Sequence, residues 1–451
     1  MMSNTSFTEL VKEVDTMTET AYKRLYHQAT GDNLFIPIIT SLLDCDMYKF
    51  SMLRMFFYRF SNLNARYEFK CRTNIKWPRE VVDEIRKQVD NLCTLQFTED
   101  EIKYLSNIYY MKEAKGFLEF LRMFQLNRRY IEIMYSGDGN LIIQAEGPIW
   151  AVSMFEIYVL AIVNETYFQW RTFKACSTER YVPEDILITG KEILKYGIDD
   201  FNNSPIQITF SDFGTRRRYS KKWQEYVIGE CYKAYEESEG IYHNLVFSGT
   251  SNVMFAKQFG ITPIGTMAHE YIMLGQALDC VTIANSQQYM LQQWAEEYEG
   301  DLGIALSDTL GIDYFLKHDF NKYYAKLFDG VRHDSGDPIN FGEKIIKHYN
   351  KLGMDPTTKT IVFSDGLDFE KALIINNWFD ERIKTAFGIG TKLTNDFGHW
   401  FEPLNIVYKL TEVNGKPVAK LSDSPGKGMC KDEKYLSYLK SVIDYKEPEN
   451  G

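Results

Sequence analysis

The 451-residue chain has no net positive charge, no cysteine pair at metal or redox spacing, no long apolar run and no low-complexity linker. A net charge of −11 argues against a general nucleic-acid or anionic-membrane binder, since both ligands are polyanions. Any anion site must then be a local group of basic side chains and main-chain N–H donors within an acidic body. The seven cysteines (Cys45, Cys71, Cys93, Cys176, Cys231, Cys280 and Cys430) are scattered and odd in number. That pattern excludes a disulfide scaffold or a zinc site and fits reduced thiols in a cytoplasmic protein. Residues 1–29 are polar and mixed in charge, unlike a signal peptide. No uninterrupted apolar run reaches the roughly 18 residues of a membrane span. The richest stretch, Trp150–Val163, contains Glu156 and precedes Glu165, so it reads as a buried helix. No repeat of fixed period is present, which excludes a solenoid.

Hydrophobic residues at 45% and charged residues at 25% are those of a globular protein, and 15% aromatics promise large buried side chains. The length allows two or three domains. The first thirty residues have helical spacing and read as an N-terminal arm. In LLDCDMYKFSMLRMFFYRF a helix capped near Asp46 is expected, with Tyr48 and Lys49 at its start. Ala65–Arg72 alternates like a strand, and Trp77–Phe124 reads as mostly helical. RRYIEIMYSGDGNLIIQAEGPI reads as a hairpin.

From about Gln207 one pattern recurs: an apolar strand, a polar glycine-bearing turn, then an amphipathic helix. The seven strand ends are QITFSDFGTRRR, NLVFSGTSN, TPIGTMAHE, GIALSDTLG, GVRHDSGDP, TIVFSDGLD and TAFGIGTKLTND. Alternating strands and helices predict a parallel sheet with right-handed crossovers. Every polar turn falls at a strand's C-terminal end, which favours an incomplete α/β barrel of about seven strands, with its site on that rim. NIVYKLTEVNGKPVAKLSDSPGK returns to hairpin character around Asn414-Gly415. The expected organisation is a discontinuous mixed α+β domain (1–150 and 400–451) beside a barrel (151–399).

The turns hold the chemistry. In ITPIGTMAHE a short strand and a turn lead into a helix with His269 in its first turn, and neutral imidazole can act as nucleophile, base or ligand. An acid such as Asp308 of SDTLG, bonded to the far ring nitrogen, would orient it. Arg216 to Arg218 read either as a solvated face or, beside helix N–H groups, as a receptor for carboxylate or phosphate, with Phe213 offering a flat ring. Asp334 suits ribose hydroxyls or magnesium, Arg332 suits a phosphate oxygen, and His333 reads as a bystander. Main-chain N–H groups around Gly390 and Thr391 resemble a phosphate cup. Paired rim acids also raise a barrel glycosidase, which leaves the arginines and FGIG unexplained.

LLDCDMYKF, FSDFGTRRR, SGTSN, GTMAHE, VRHDSGDP, VFSDGLD, FGIGTKLTND and KLSDSPGK, in that order over residues 42–427, resemble nicotinate phosphoribosyltransferases. The resemblance implies a type II phosphoribosyltransferase fold and a homodimer with shared active sites. It implies the joining of nicotinate to phosphoribosyl pyrophosphate, coupled to ATP hydrolysis through a phosphohistidine, with magnesium required. Carried over residue by residue, His269 is the phosphate acceptor and Asp308 its orienting acid. Tyr48, from a partner subunit, and Phe213 sandwich the pyridine ring, and Arg216 faces its carboxylate. Arg332 and Asp334 hold pyrophosphoryl oxygens and ribose hydroxyls. Ser364, Asp365, Gly366, Gly390 and Thr391 line the 5-phosphate pocket. Nicotinamide-using relatives carry aspartate where Ser251 stands, so a neutral, donating serine favours the acid. The rivals are a nicotinamide phosphoribosyltransferase and a non-catalytic nucleotide-binding protein on the same fold.

Overall fold

The computed structural model describes residues 35–178, 183–238, 244–424, 428 and 430–446. The N-terminal arm lies outside them, as does Pro425–Lys427 of the KLSDSPGK stretch. Six strands form one parallel sheet: β4 (Ile208–Asp212), β5 (Leu245–Thr250), β6 (Ile304–Leu306), β7 (Gly330–His333), β8 (Thr360–Phe363) and β9 (Lys384–Ile389). Their spatial order is β5-β4-β9-β8-β7-β6. The expected seventh strand, at TPIG, is a single parallel bridge from Pro263 to Thr250. Proline has no N–H to give a ladder, which accounts for the shortfall. The same segment spans the remaining gap, for Thr266 Oγ1 donates to the Ile304 carbonyl of β6 at 3.4 Å. Around the ring the units therefore follow one another in sequence order, as in an incomplete α/β barrel.

A five-stranded antiparallel sheet stands beside it, in the order β11-β10-β1-β3-β2. It is built from β1 (Asn64–Cys71), β2 (Ile131–Tyr135), β3 (Leu141–Pro148), β10 (Ile406–Val413) and β11 (Lys416–Pro417). Strand β10 pairs with β1 across more than three hundred residues of chain, from Cys71↔Ile406 to Ala65↔Val413. The Asn414-Gly415 turn has φ values of 50° and 73°, the left-handed pair that a type I′ hairpin demands. Between the sheets runs the helix Phe155–Thr178. Ile157 through Val163 are fully buried on every side, so this segment is neither an amphipathic surface helix nor a lipid-facing one. The span Ile149–Lys174 is long and apolar enough to cross a membrane, yet 94% of its most apolar window is covered by the protein itself.

Backbone bonds tie neighbouring rim turns together. Ile264 N donates to Thr250 O (2.8 Å), Ser251 N to Asp212 O (2.8 Å), Phe213 N to Ile389 O (2.9 Å) and Ser364 N to His333 O (3.1 Å). The Ser307 hydroxyl donates to Arg332 O at 2.8 Å. Turns far apart in sequence are thus held on one rim.

Candidate active site

His269 is the first residue of the helix His269–Leu274. The turn before it lies against the start of helix Met47–Arg59, and a Cβ on Gly265 would stand 2.7 Å from Tyr48 N, so only glycine fits. His269 Nδ1 is 3.0 Å from Thr309 Oγ1. Its Nε2 is 2.7 Å from Lys420 Nζ, 2.9 Å from Asp334 Oδ2 and 3.4 Å from Asp308 Oδ1. An ammonium offers only protons, so Nε2 presents its lone pair to Lys420 and the ring proton sits on Nδ1, facing Thr309. Burial and the Lys420 charge push the imidazole below its ordinary value, against the two carboxylates, which favours this neutral form. Asp308 therefore reaches the histidine, but at Nε2. The partner of the far nitrogen is Thr309, which sequence reasoning passed over.

Lys420 also pairs with Asp308 Oδ2 at 3.1 Å and Asp334 Oδ2 at 3.3 Å. Burial opposes ionisation of both acids, but Lys420 and His269 outweigh it, and Arg332 adds to the pull on Asp334. Ser335 donates to Asp308. Asp334 Oδ1 is 3.1 Å from Ser364 Oγ and 3.9 Å from an Arg332 nitrogen. Arg332 itself is anchored on Met267 O at 3.0 Å. His269, Asp308 and Asp334 offer three ligand atoms within 4.8 Å of one another, yet the Lys420 ammonium already bonds all three side chains. The cluster is therefore filled from within and does not suit a metal ion. His333 is buried, its ring 5.0 Å from Phe341 and 5.6 Å from Phe363.

The three consecutive arginines part company. Arg218 is fully buried and grips Asp44 with two bonds of 2.6 and 2.8 Å. Arg217 ties the barrel to β10, donating to Ile406 O at 2.8 and 3.0 Å. Neither lies on a solvated face. Only Arg216 makes no ion pair or hydrogen bond among the described residues. Burial would weaken its charge, but Tyr48, Glu156, Asp334 and Asp46 sustain it. Phe213 lies flat on Gly388, where a Cβ would stand 2.3 Å from its ring; that glycine serves the aromatic as well as the FGIG turn. Ser364, Asp365 and Gly366 leave β8, and Gly390 and Thr391 leave the adjacent β9. Gly366 has φ of 60° and open space at its Cβ position.

Three basic residues escaped the sequence reading. Lys420 stood in KLSDSPGK, one of the resembling motifs, and was not nominated. Lys409 and Arg72 sit on and just after paired strands, at polar positions of the alternation. Burial and then the charges of Arg72 and Lys420 push Lys409 down to about 7. Positive charge gathered locally in a protein of net charge −11 suits an anion. Glu270 turns from the rim to Lys49, which also pairs with Glu156 at 2.5 Å.

A barrel rim joining a neutral histidine, two acids and several cations is the kind of site enzymes build to act on anionic substrates. Residues 208–447 match the nicotinate phosphoribosyltransferase (NAPRTase) family and residues 43–164 its N-terminal domain. Nicotinate phosphoribosyltransferase of Neisseria meningitidis serogroup A is 47% identical over 91% of this chain and 99% of its own length. That of Acinetobacter baylyi is 46% identical over 92% and 98%. Among solved structures, nicotinate phosphoribosyltransferase from Vibrio cholerae superposes with a TM-score of 0.80 at 36% identity, covering 91% of this chain and 94% of that one. A putative nicotinate phosphoribosyltransferase from Saccharomyces cerevisiae gives 0.82 at 32%, covering 92% and 100%. The chain belongs to the nicotinate phosphoribosyltransferase family.

Proposed function

We propose that this chain joins nicotinate to phosphoribosyl pyrophosphate, giving nicotinate mononucleotide and pyrophosphate, the first step of NAD synthesis from nicotinate. The observation that carries the reading is the neutral His269, held by Lys420 among Asp308 and Asp334, beside a cluster of cations. Phe213 and Tyr48 flank the pyridine ring and Arg216 takes its carboxylate. The ring nitrogen forms the bond to ribose C1 as the bond from C1 to the pyrophosphate oxygen breaks with its electron pair. Arg332, Lys420 and Lys409 meet the charge on the leaving group, and Asp334 stands by the ribose, where positive charge develops. Ser364, Asp365, Gly366, Gly390 and Thr391 hold the 5-phosphate.

ATP hydrolysis is coupled through His269. Nε2 attacks the terminal phosphorus of ATP and ADP leaves, while Lys420 passes from the ring nitrogen to a phosphoryl oxygen. Magnesium enters as a co-requirement with the phosphorylated ligands. The working form is a cytoplasmic homodimer with shared active sites. Steady-state turnover with each base and phosphoribosyl pyrophosphate tests the substrate, and faster use of nicotinamide would overturn it. Incubation with γ-labelled ATP tests the coupling. An acid-labile label is expected on the wild type and not on His269→Ala; its absence from both would remove the phosphohistidine while leaving uncoupled transfer possible.

A further inference from the structure

A second, smaller core stands apart from the main one. Leu310, Ala419 and Leu421 meet Leu439 and Ile443 there, with Tyr314, Tyr435 and Tyr445 packed around them. Its members adjoin the histidine cluster along the chain. Leu310 follows Thr309, while Ala419 and Leu421 flank Lys420. Leu421 N donates to Thr309 O at 2.9 Å, so the segment bearing Lys420 lies along the turn bearing Asp308 and Thr309.

The C-terminal helix Glu433–Val442 and the residues just past it bracket that segment. On one side stands Gln276, two residues beyond helix His269–Leu274. Its Nε2 donates to Ala419 O at 2.7 Å, and its Oε1 accepts from Ala419 N at 2.8 Å. The same Oε1 accepts from the Tyr435 hydroxyl at 3.0 Å. On the other side the Tyr445 hydroxyl donates to Ser422 O at 2.8 Å. Leu439 is the helix's one fully buried residue, and it is spent on this small core.

We infer that the C-terminal helix is a clamp for Lys420, with Tyr435, Leu439 and Tyr445 as positioning residues that keep its ammonium on His269 Nε2. The consequence for phosphoryl transfer rests on the reading proposed for His269. An ammonium on a flexible four-carbon stem gains by returning to water. Burial opposes the Lys420 charge, and Asp308 and Asp334 sustain it. Those partners offset the cost only while the main chain fixes the root of the stem. Ala419 is held through Gln276 and Tyr435, Leu421 through the core it shares with Leu439, and Ser422 through Tyr445. A ten-residue helix with a single buried side chain is a low-stability unit, able to open without the barrel unfolding. Opening it frees the segment and lets the ammonium leave the ring.

The test reads the ionisation midpoint of His269 in the full chain, from ring-carbon chemical shifts of histidine-labelled protein, with His269→Ala to assign the signal. The charged groups facing the ring are Lys420, Asp308 and Asp334, so departure of the ammonium leaves two carboxylates and raises the midpoint. Leu439→Asp puts a charge into the small core. It should raise the midpoint by about 1 to 3 pH units, the effect of one charge at such distances. Tyr445→Ala loosens the same segment without burying a charge and should raise it by less. Added to Lys420→Met, either substitution should have no further effect, because the group they act through is gone. Tyr438→Ala, at a helix position 56% exposed, should leave the midpoint where it is. A wild-type midpoint in whichever of Leu439→Asp and Tyr445→Ala folds, an equal rise on top of Lys420→Met, or the same rise in Tyr438→Ala would each overturn the clamp. Absence of any label from γ-labelled ATP on the wild type would instead remove the phosphohistidine, with the clamp still judged by the midpoint.

Discussion

Replacing Lys420 by methionine keeps most of the side chain's volume and deletes the one ammonium shared by His269, Asp308 and Asp334. The lysine side chain is 8% exposed and Asp308 is fully buried, so solvent cannot replace the lost charge. Breaking such a buried pair costs roughly 3–5 kcal/mol, because an uncompensated carboxylate remains. The loss must also depend on pH. In the wild type the His269 value lies below its unfolded one, so its contribution is full at high pH and is lost as pH falls. In Lys420→Met, Nε2 faces two carboxylates with no competing cation, and its value rises above the unfolded one. The imidazolium then stands in for the ammonium at low pH, and that help is lost as pH rises through the new value. Urea denaturation of both proteins should therefore give a larger stability difference at pH 8.5 than at pH 5.5. The acid limb of His269 phosphorylation should move to higher pH, since the nucleophile is now protonated near neutrality. An equal or larger difference at pH 5.5 would refute the assignment of Lys420 as the group that keeps Nε2 deprotonated.

Arg216→Gln should raise KM for nicotinate about 10- to 100-fold, the loss of one or two hydrogen bonds to a charged group, while KM for phosphoribosyl pyrophosphate changes little in the same assay. Gly388→Ala puts a methyl 2.3 Å from the Phe213 ring; a loss of about 1–3 kcal/mol in denaturation is expected, with KM for the base rising more than kcat falls. Burial raises Asp319 from 3.8 to about 7, against the Gln287 amide. Its neutral form is therefore the stable one, present at low pH and lost as pH rises through that value. Asp319→Asn should accordingly stabilise the protein at pH 8 by up to about 4 kcal/mol and have little effect at pH 4, measured by urea denaturation.

The barrel was legible because its signal is local. An apolar run ending in a polar glycine turn marks a strand's C-terminal end whatever its neighbours, and six of the seven such runs became paired strands. The seventh failed at Pro263 for a reason also visible in the sequence, a missing N–H in mid-strand. Hairpins were equally readable, since Asn414-Gly415 encodes its own backbone geometry. The helix boundary at Asp46 was right for the same reason, and the use of the Asp46 side chain was not. A capping residue can spend its oxygen elsewhere when a partner arrives from 205 positions away.

The site divides along the same line. Residue types that chemistry demands were found: a histidine, rim acids and an arginine beside an aromatic. What remained hidden were choices among equals. Arg216, Arg217 and Arg218 are identical in composition and adjacent in sequence. Partners such as Asp44, 174 residues from Arg218, and the Ile406 carbonyl, 189 residues from Arg217, decide which one is left for a ligand. Asp308 and Thr309 are likewise neighbours, and the approach of His269 decides which of them meets Nδ1. Lys420 lies 151 residues from the ring it bonds. The motif therefore supplies the chemistry, and long-range pairing assigns it by occupying the competitors; substituting Asp44 should for that reason disturb the anion site without touching any residue that faces it.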